Sequence, residues 1–213
     1  MKEVLIYKGY ERFWHWSQAA LIIFLAVTGF EVHGSYTFFG YENAVVYHRY
    51  AALGLIVLIL FTAFWHFITG EWKQYKPTPQ FVKEQIEYYL LGIFKNAPHP
   101  TKKTVLSKLN PLQKLAYFGL MVVIIPLLVI TGILYLFYRM PSAANMNPLN
   151  LTNLEPIAIL HTIGAYLLVM FVIGHLYLIT TGHTIFTNLK AMITGYEEIE
   201  EDDDHHKKEE KKV

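Results

Sequence analysis

Four long apolar blocks, almost free of charge, run through this chain at Phe13 to Phe30, Tyr50 to Gly70, Leu115 to Tyr138 and Pro156 to Leu189. A helix needs about 20 mostly apolar residues to cross the hydrocarbon core of a bilayer, and each block is long enough. The spacing predicts spanning helices at 12–33, 44–70, 111–138 and 156–183, an all-α four-helix bundle in a lipid bilayer. Hydrophobic residues make up 54% of the 213 and charged residues only 16%, with a mean hydropathy of +0.29, outside the range of an ordinary soluble domain. The first block follows Lys2 and Lys8 but is long for a secretory signal. Its end, Gly-Phe-Glu-Val-His-Gly at 29–34, offers no small-residue cleavage site, so it is read as a retained helix.

An even number of spans puts both termini on one side. The loop 71–110, on that same side, carries Lys73, Lys76, Lys83, Lys95, Lys102, Lys103 and Lys108 against Glu71, Glu84 and Glu87. The loops on the opposite side are nearly free of positive charge, Arg139 being the clearest exception. By the positive-inside rule the termini and the long loop are expected to be cytoplasmic, in the inner membrane. Between Gln80 and Phe94, after Pro79, the residues Val82, Ile86, Tyr89, Leu90 and Ile93 recur at helical spacing and predict a short amphipathic helix on the cytoplasmic surface. The organisation expected is a membrane domain over 1–196 and a charged, disordered tail over 197–213, within which His205 and His206 read as solvent-exposed. No internal repeat suggests a transporter built from two halves. The net charge of +1 carries no partner information, and nothing points to nucleic acid.

The chain has no cysteine and ten histidines. That excludes disulfides, thiolate-bound zinc, iron–sulfur clusters and covalent haem attachment, so a metal here must be held by histidine or carboxylate. Ionisable groups are costly within a span and are functional candidates by default. Helix 4 carries His161 and His175, fourteen residues apart. That offset is about 40° short of four turns, so both imidazoles share one face about 21 Å apart along the axis. Such spacing suits one haem near each membrane surface, each gripped by imidazoles of facing helices.

His48, at the outer end of helix 2, is level with His161, and these form the expected outer pair. For His175 two partners remain open, His15 at the start of helix 1 and His66 near the end of helix 2. His66 lies about 27 Å beyond His48 and overshoots the depth of His175 by about 6 Å, which weighs toward His15. The structural alternative for any single histidine is a hydrogen bond between helices. His33 and His183 read as interfacial residues and His99 as a loop residue. Gly29, Gly54, Gly132, Gly164 and Gly174 are candidates for close approach of a macrocycle or for ordinary helix contacts. Arg12 and Arg49 are candidate partners of haem propionates, or interfacial anchors.

The segments Glu-Arg-Phe-Trp-His-Trp (11–16), Tyr-His-Arg-Tyr-Ala-Ala-Leu-Gly (47–54), Leu-Asn-Pro-Leu-Gln-Lys (109–114), Leu-His-Thr-Ile-Gly-Ala (160–165) and Ile-Gly-His-Leu-Tyr (173–177) resemble the formate dehydrogenase gamma subunit. That family belongs to the dihaem cytochrome b subunits that also serve nickel–iron hydrogenases and thiosulfate reductases, and the likeness covers about residues 8–196. The resemblance implies two haem b groups, one held by His15 and His175 on the cytoplasmic side and one by His48 and His161 on the periplasmic side. It implies menaquinone or a related quinone beside the inner haem, near Asn110 and Gln113; the charge of the adjacent Lys114 would add to the field there. It also implies an iron–sulfur partner subunit and a periplasmic catalytic subunit. Asn110-Pro111-Leu112-Gln113 reads equally as a helix-capping box.

The expected function is a membrane-anchoring electron-transfer subunit between such a partner and quinone, without the primary substrate site. A hydrogenase, thiosulfate reductase or multihaem reductase is the alternative assembly. A histidine-bearing proton or metal transporter is the alternative of another class, against which stands the near absence of carboxylates in the spans.

Overall fold

The computed structural model describes residues 2–95, 97–98, 100–101, 108–139, 154–182 and 184–199. His99, His183, His205, His206, Lys102, Lys103 and the tail from residue 200 lie outside the described residues. Strand β1 (Lys2–Leu5) leads into α1 (Gly9–Val32) and α2 (Tyr41–Thr69). After a 3-10 turn at Glu71–Tyr75 comes α3 (Val82–Glu87), then α4 (Pro111–Gly119) and α5 (Ile125–Arg139), α6 (Glu155–Ile179), α7 (Thr187–Thr194) and β2 (Tyr196–Ile199). Helices α4 and α5 are one span, Pro111–Phe137, joined by a π turn at Leu120–Ile124. The π turn ends two residues before Pro126, which has no N–H to give the carbonyl four residues back.

All four predicted spans form helices long and apolar enough to cross a bilayer. Their outer faces are apolar and bare: Val57, Leu60, Phe61, Phe64 and Phe67 on α2 and Ile163, Met170 and Ile173 on α6 are all more than 45% exposed. Contiguous apolar surface of this extent is stable against lipid and not against water, and the helices satisfy their backbone groups internally. The chain is a multi-pass, helical membrane protein.

Each end of the bundle is tied by local chemistry. Glu31, almost fully buried at the end of α1, accepts backbone N–H bonds from Phe38, Phe39 and Gly40, each 2.8 Å, and so satisfies donors at the start of α2. At the opposite end β1 pairs antiparallel with β2, Lys2 opposite Ile199 and Leu5 opposite Tyr196. The pairing puts residues 2–5 and 196–199 together at that end of the bundle. This short sheet is appended to an all-α bundle, and the buried Ile6 and the Gly195 turn fix its register. Gly195 has φ +91, and a Cβ there would sit 2.7 Å from the Tyr7 carbonyl oxygen, so only glycine fits. Its own carbonyl accepts from the N–H of Ile6 at 2.8 Å.

The predicted amphipathic segment is helical but irregular, with α3 passing into a π turn at Tyr88–Gly92 and a 3-10 turn at Ile93–Lys95. Gln85 and Tyr89 point inward, while Phe81, Ile86, Leu90, Leu91 and Phe94 form an exposed apolar face suited to the lipid interface.

Candidate functional site

Close backbone packing occurs within two pairs, α1 against α2 and α5 against α6. Across the divide between the pairs, contact is carried by rings. Phe30 meets Tyr166 and, at two levels, imidazole faces imidazole. His48 and His161 have ring centres 6.3 Å apart at the end of the bundle away from the sheet, and His15 and His175 lie 6.0 Å apart at the sheet end. His66 is elsewhere: its ring touches Trp14, Trp65 and Tyr75, and its Nδ1–H donates to the Thr62 carbonyl at 2.8 Å.

Hydrogen bonding dictates the tautomers of the far pair. Thr28 Oγ1 donates its one hydrogen to a carbonyl of its own helix, Phe24 at 2.8 Å, and lies 3.0 Å from His48 Nδ1. The hydroxyl hydrogen being committed, His48 Nδ1 is the donor, and the lone pair of its ring is on Nε2. Thr131 repeats the arrangement on α5, donating to the Leu127 carbonyl at 2.5 Å and accepting from His161 Nδ1 at 2.8 Å. With Nδ1 of each ring donating to a threonine, each Nε2 keeps a lone pair free to bind an electrophile such as a metal.

The glycine after each threonine gives the ring its space. A Cβ on Gly29 would meet His48 Cε1 at 3.1 Å, and one on Gly132 would meet His161 Cε1 at 3.4 Å. The dipeptides Thr28-Gly29 and Thr131-Gly132 therefore play one part on two helices, each holding the histidine of the following helix. This short repeat is present in the sequence, yet a threonine in an apolar run looks like filler until its hydroxyl is seen on the ring.

The near pair is built differently. Tyr117 OH lies 3.2 Å from His175 Nδ1, Phe171 stacks parallel to that ring at 6.1 Å, and Trp16 meets His15 edge-on. His15 Nδ1 is buried and, among the described residues, has no hydrogen-bond partner.

These residues fit haem. A metal–imidazole bond is about 2 Å long, so two imidazoles on opposite sides of one iron have ring centres about 6 Å apart. Among the described residues no group of three or more His, Asp or Glu side chains is arranged to hold a metal ion.

Asn110, Gln113 and Lys114 open α4. The capping box is formed in full: Asn110 Oδ1 accepts from Gln113 N–H at 2.8 Å and Gln113 Oε1 accepts from Asn110 N–H at 3.0 Å. The Lys114 N–H donates to the Asn110 carbonyl at 2.9 Å. Asn110 also donates through Nδ2 to Tyr89 OH at 2.9 Å, and Tyr177 OH donates to the Tyr89 carbonyl at 3.1 Å. The cap thus belongs to a polar cluster beside α6, two residues from His175 in sequence. Burial pushes the Tyr89 phenol above its usual range, an effect that hydrogen bonds with Thr181 and Asn110 only partly offset.

Arg12 Nη1 donates to the Ile193 carbonyl at 2.7 Å and Trp16 Nε1 to that of Met192 at 3.2 Å, which caps the end of α7. Arg49 lies with its guanidinium carbon 5.0 Å from the Tyr50 ring centre. Lys108, counted among the loop lysines by sequence, is only 7% exposed and is ion-paired to Glu11 and Glu71 beneath the near pair's end.

The four-span helical bundle agrees with what known proteins share with this chain. Residues 6–195 match the family profile described as prokaryotic cytochrome b561. A relative from Escherichia coli (strain K12), named "Putative cytochrome YdhU", is 31% identical over 206 residues, covering 92% of this chain and 75% of its own length. No solved structure gives a significant match. With a family match along nearly its whole length and four spans to carry it, the chain belongs to the prokaryotic cytochrome b561 family, haem b proteins that transfer electrons in membranes.

Proposed function

We propose that this chain is the dihaem cytochrome b subunit of a respiratory oxidoreductase of the formate dehydrogenase type, which exchanges electrons between an iron–sulfur partner subunit and a membrane quinone. The observation that carries the reading is the recurrence of imidazole pairs about 6 Å apart at two levels of one bundle. His48 and His161 would hold one haem and His15 and His175 the other; haem supplies a reversible one-electron change at its iron. Thr28 and Thr131 keep the far imidazoles in the tautomer that ligation needs, and Gly29 and Gly132 leave them room.

The lysine-rich loop supports a cytoplasmic sheet end, in the inner membrane, with the partner subunits docking at the periplasmic end. Quinone, in this reading, binds near the start of α4. Its reduction to quinol takes two electrons and two protons, drawn from the cytoplasmic side. The capping box uses Oε1 of Gln113, and its amide N–H groups, with Asn110 and Lys114, would stabilise negative charge as it develops on a quinone carbonyl.

The test is the purified chain with whatever subunits accompany it. A reducible b-type spectrum with two haems per chain and co-purifying iron–sulfur protein is expected. One haem per chain, or none, overturns the dihaem reading.

A further inference from the structure

The two imidazole pairs differ in what lies behind them. At the far pair both Nδ1–H groups meet threonine hydroxyl oxygens, at 3.0 and 2.8 Å. At the near pair, among the described residues, His175 Nδ1 meets the phenol oxygen of Tyr117, at 3.2 Å, and His15 Nδ1 has no hydrogen-bond partner. A phenol oxygen shares its lone pairs with the ring and is the poorer acceptor. An acceptor on Nδ1–H makes the opposite nitrogen a stronger donor to a metal, and a stronger donor favours the oxidised metal.

We propose that Thr28 and Thr131 are positioning residues that give the His48/His161 site the lower reduction potential, so that the hydrogen bonds behind the histidines direct electrons toward the sheet end. This rests on the dihaem reading above. In the transfer itself the far site is oxidised by one electron and the near site reduced by one, and no bond to hydrogen is made or broken at Nδ1. The matched Thr-Gly pairs explain why this site is polarised from both sides: each helix pair brings its own hydroxyl to its own histidine. Gly29 and Gly132 let the rings come close enough to use them.

The experiment is a redox titration of the haem-loaded complex, followed by visible spectroscopy, with haem counted per chain. In the unaltered protein two midpoint potentials are expected, and the component lost in His48→Ala is the lower one. Thr28→Val and Thr131→Val each raise that component and leave the other in place, the double variant raises it further, and Thr→Ser at either position restores it. Affinity for the far haem falls about 10-fold or more in the double variant. Tyr117→Phe leaves the lower component unmoved. If His48→Ala removes the higher-potential component, or if the double variant binds two haems at unchanged potentials, the proposal is overturned while the dihaem reading stands. Should His48→Ala retain both haems, the dihaem assignment itself fails. The comparison of unaltered protein with His48→Ala decides the potential order even if the valine variants do not assemble.

Discussion

Lys108 Nζ lies 2.6 Å from Glu11 Oε1 in a pocket where the lysine side chain is 7% exposed and the glutamate 13%. Glu71 Oε2 stands 3.6 Å from the same nitrogen, and the Lys108 N–H donates to Gln74 Oε1 at 3.2 Å. One lysine thus ties the start of α1, the turn after α2 and the approach to α4. Removing it leaves two carboxylates without their shared cation, and breaking a buried pair from one side costs about 3 kcal/mol or more. Lys108→Met is expected to lower stability by that order in detergent unfolding. Lys83→Met, which breaks the exposed 3.7 Å pair with Glu87, changes it by about 0.5 kcal/mol or less.

The same cluster makes stability depend on pH. Burial pushes the Glu71 carboxyl up, but the hydrogen bond from Lys8 and the charges of Lys108 and Lys8 outweigh it and leave the group below its ordinary value of 4.5. The Glu71 hydrogen bond and charge hold Lys8 above its ordinary 10.5. A lowered carboxyl stabilises above 4.5, and that contribution is lost as pH falls through the lowered value. A raised ammonium stabilises below 10.5 and loses its contribution as pH rises through the raised value. The stability difference between the unaltered chain and Glu71→Gln is therefore largest between these limits and shrinks toward both extremes. A difference that stays constant into acid contradicts the assignment.

Added methyl groups at the two glycines should act unequally. Gly29→Ala pushes on His48 Cε1 from 3.1 Å, closer than nearly all real contacts, and Gly132→Ala pushes on His161 Cε1 from 3.4 Å. Haem content is expected to fall in Gly29→Ala and to fall less in Gly132→Ala. Gly119→Ala, with nothing within 4 Å, keeps full haem and gains up to about 1 kcal/mol from helix propensity. Equal haem in all three variants would show that the rings do not need this space.

The two roles of Asn110 separate by substitution. Asn110→Ser keeps an N-cap acceptor and should stay within a few tenths of a kcal/mol, whereas Asn110→Ala loses about 1 kcal/mol. Both remove the amide, so both are expected to slow quinone turnover several-fold or more. If Asn110→Ser and Gln113→Ala each turn over quinone at the unaltered rate, the capping box is all that these residues do.

Much of this architecture is legible in the sequence because hydropathy and helical period act over long segments. The four spans, the shared face of His161 and His175 and the capping box at Asn110 are of that kind. What sequence conceals is chemistry made by tertiary contact. Thr28 and Thr131 sit in apolar runs, and only the arrival of another helix turns their hydroxyls into acceptors. Lys108 reads as one more surface lysine until Glu11, almost a hundred residues earlier, closes over it. The four-residue strands β1 and β2 are too short to show a period. His66 and His15 both remain open by depth alone. The aromatic wall of Trp14, Trp65 and Tyr75 that receives His66 is invisible without the fold.

Haem counted per chain in four variants tests the central claim most directly. His48→Ala and His161→Ala should each lose one haem of two and keep the other, His15→Ala should lose the other one, and His66→Ala should keep both. Loss of a haem in His66→Ala with none lost in His15→Ala, or two haems retained in His48→Ala and in His161→Ala, would contradict the account.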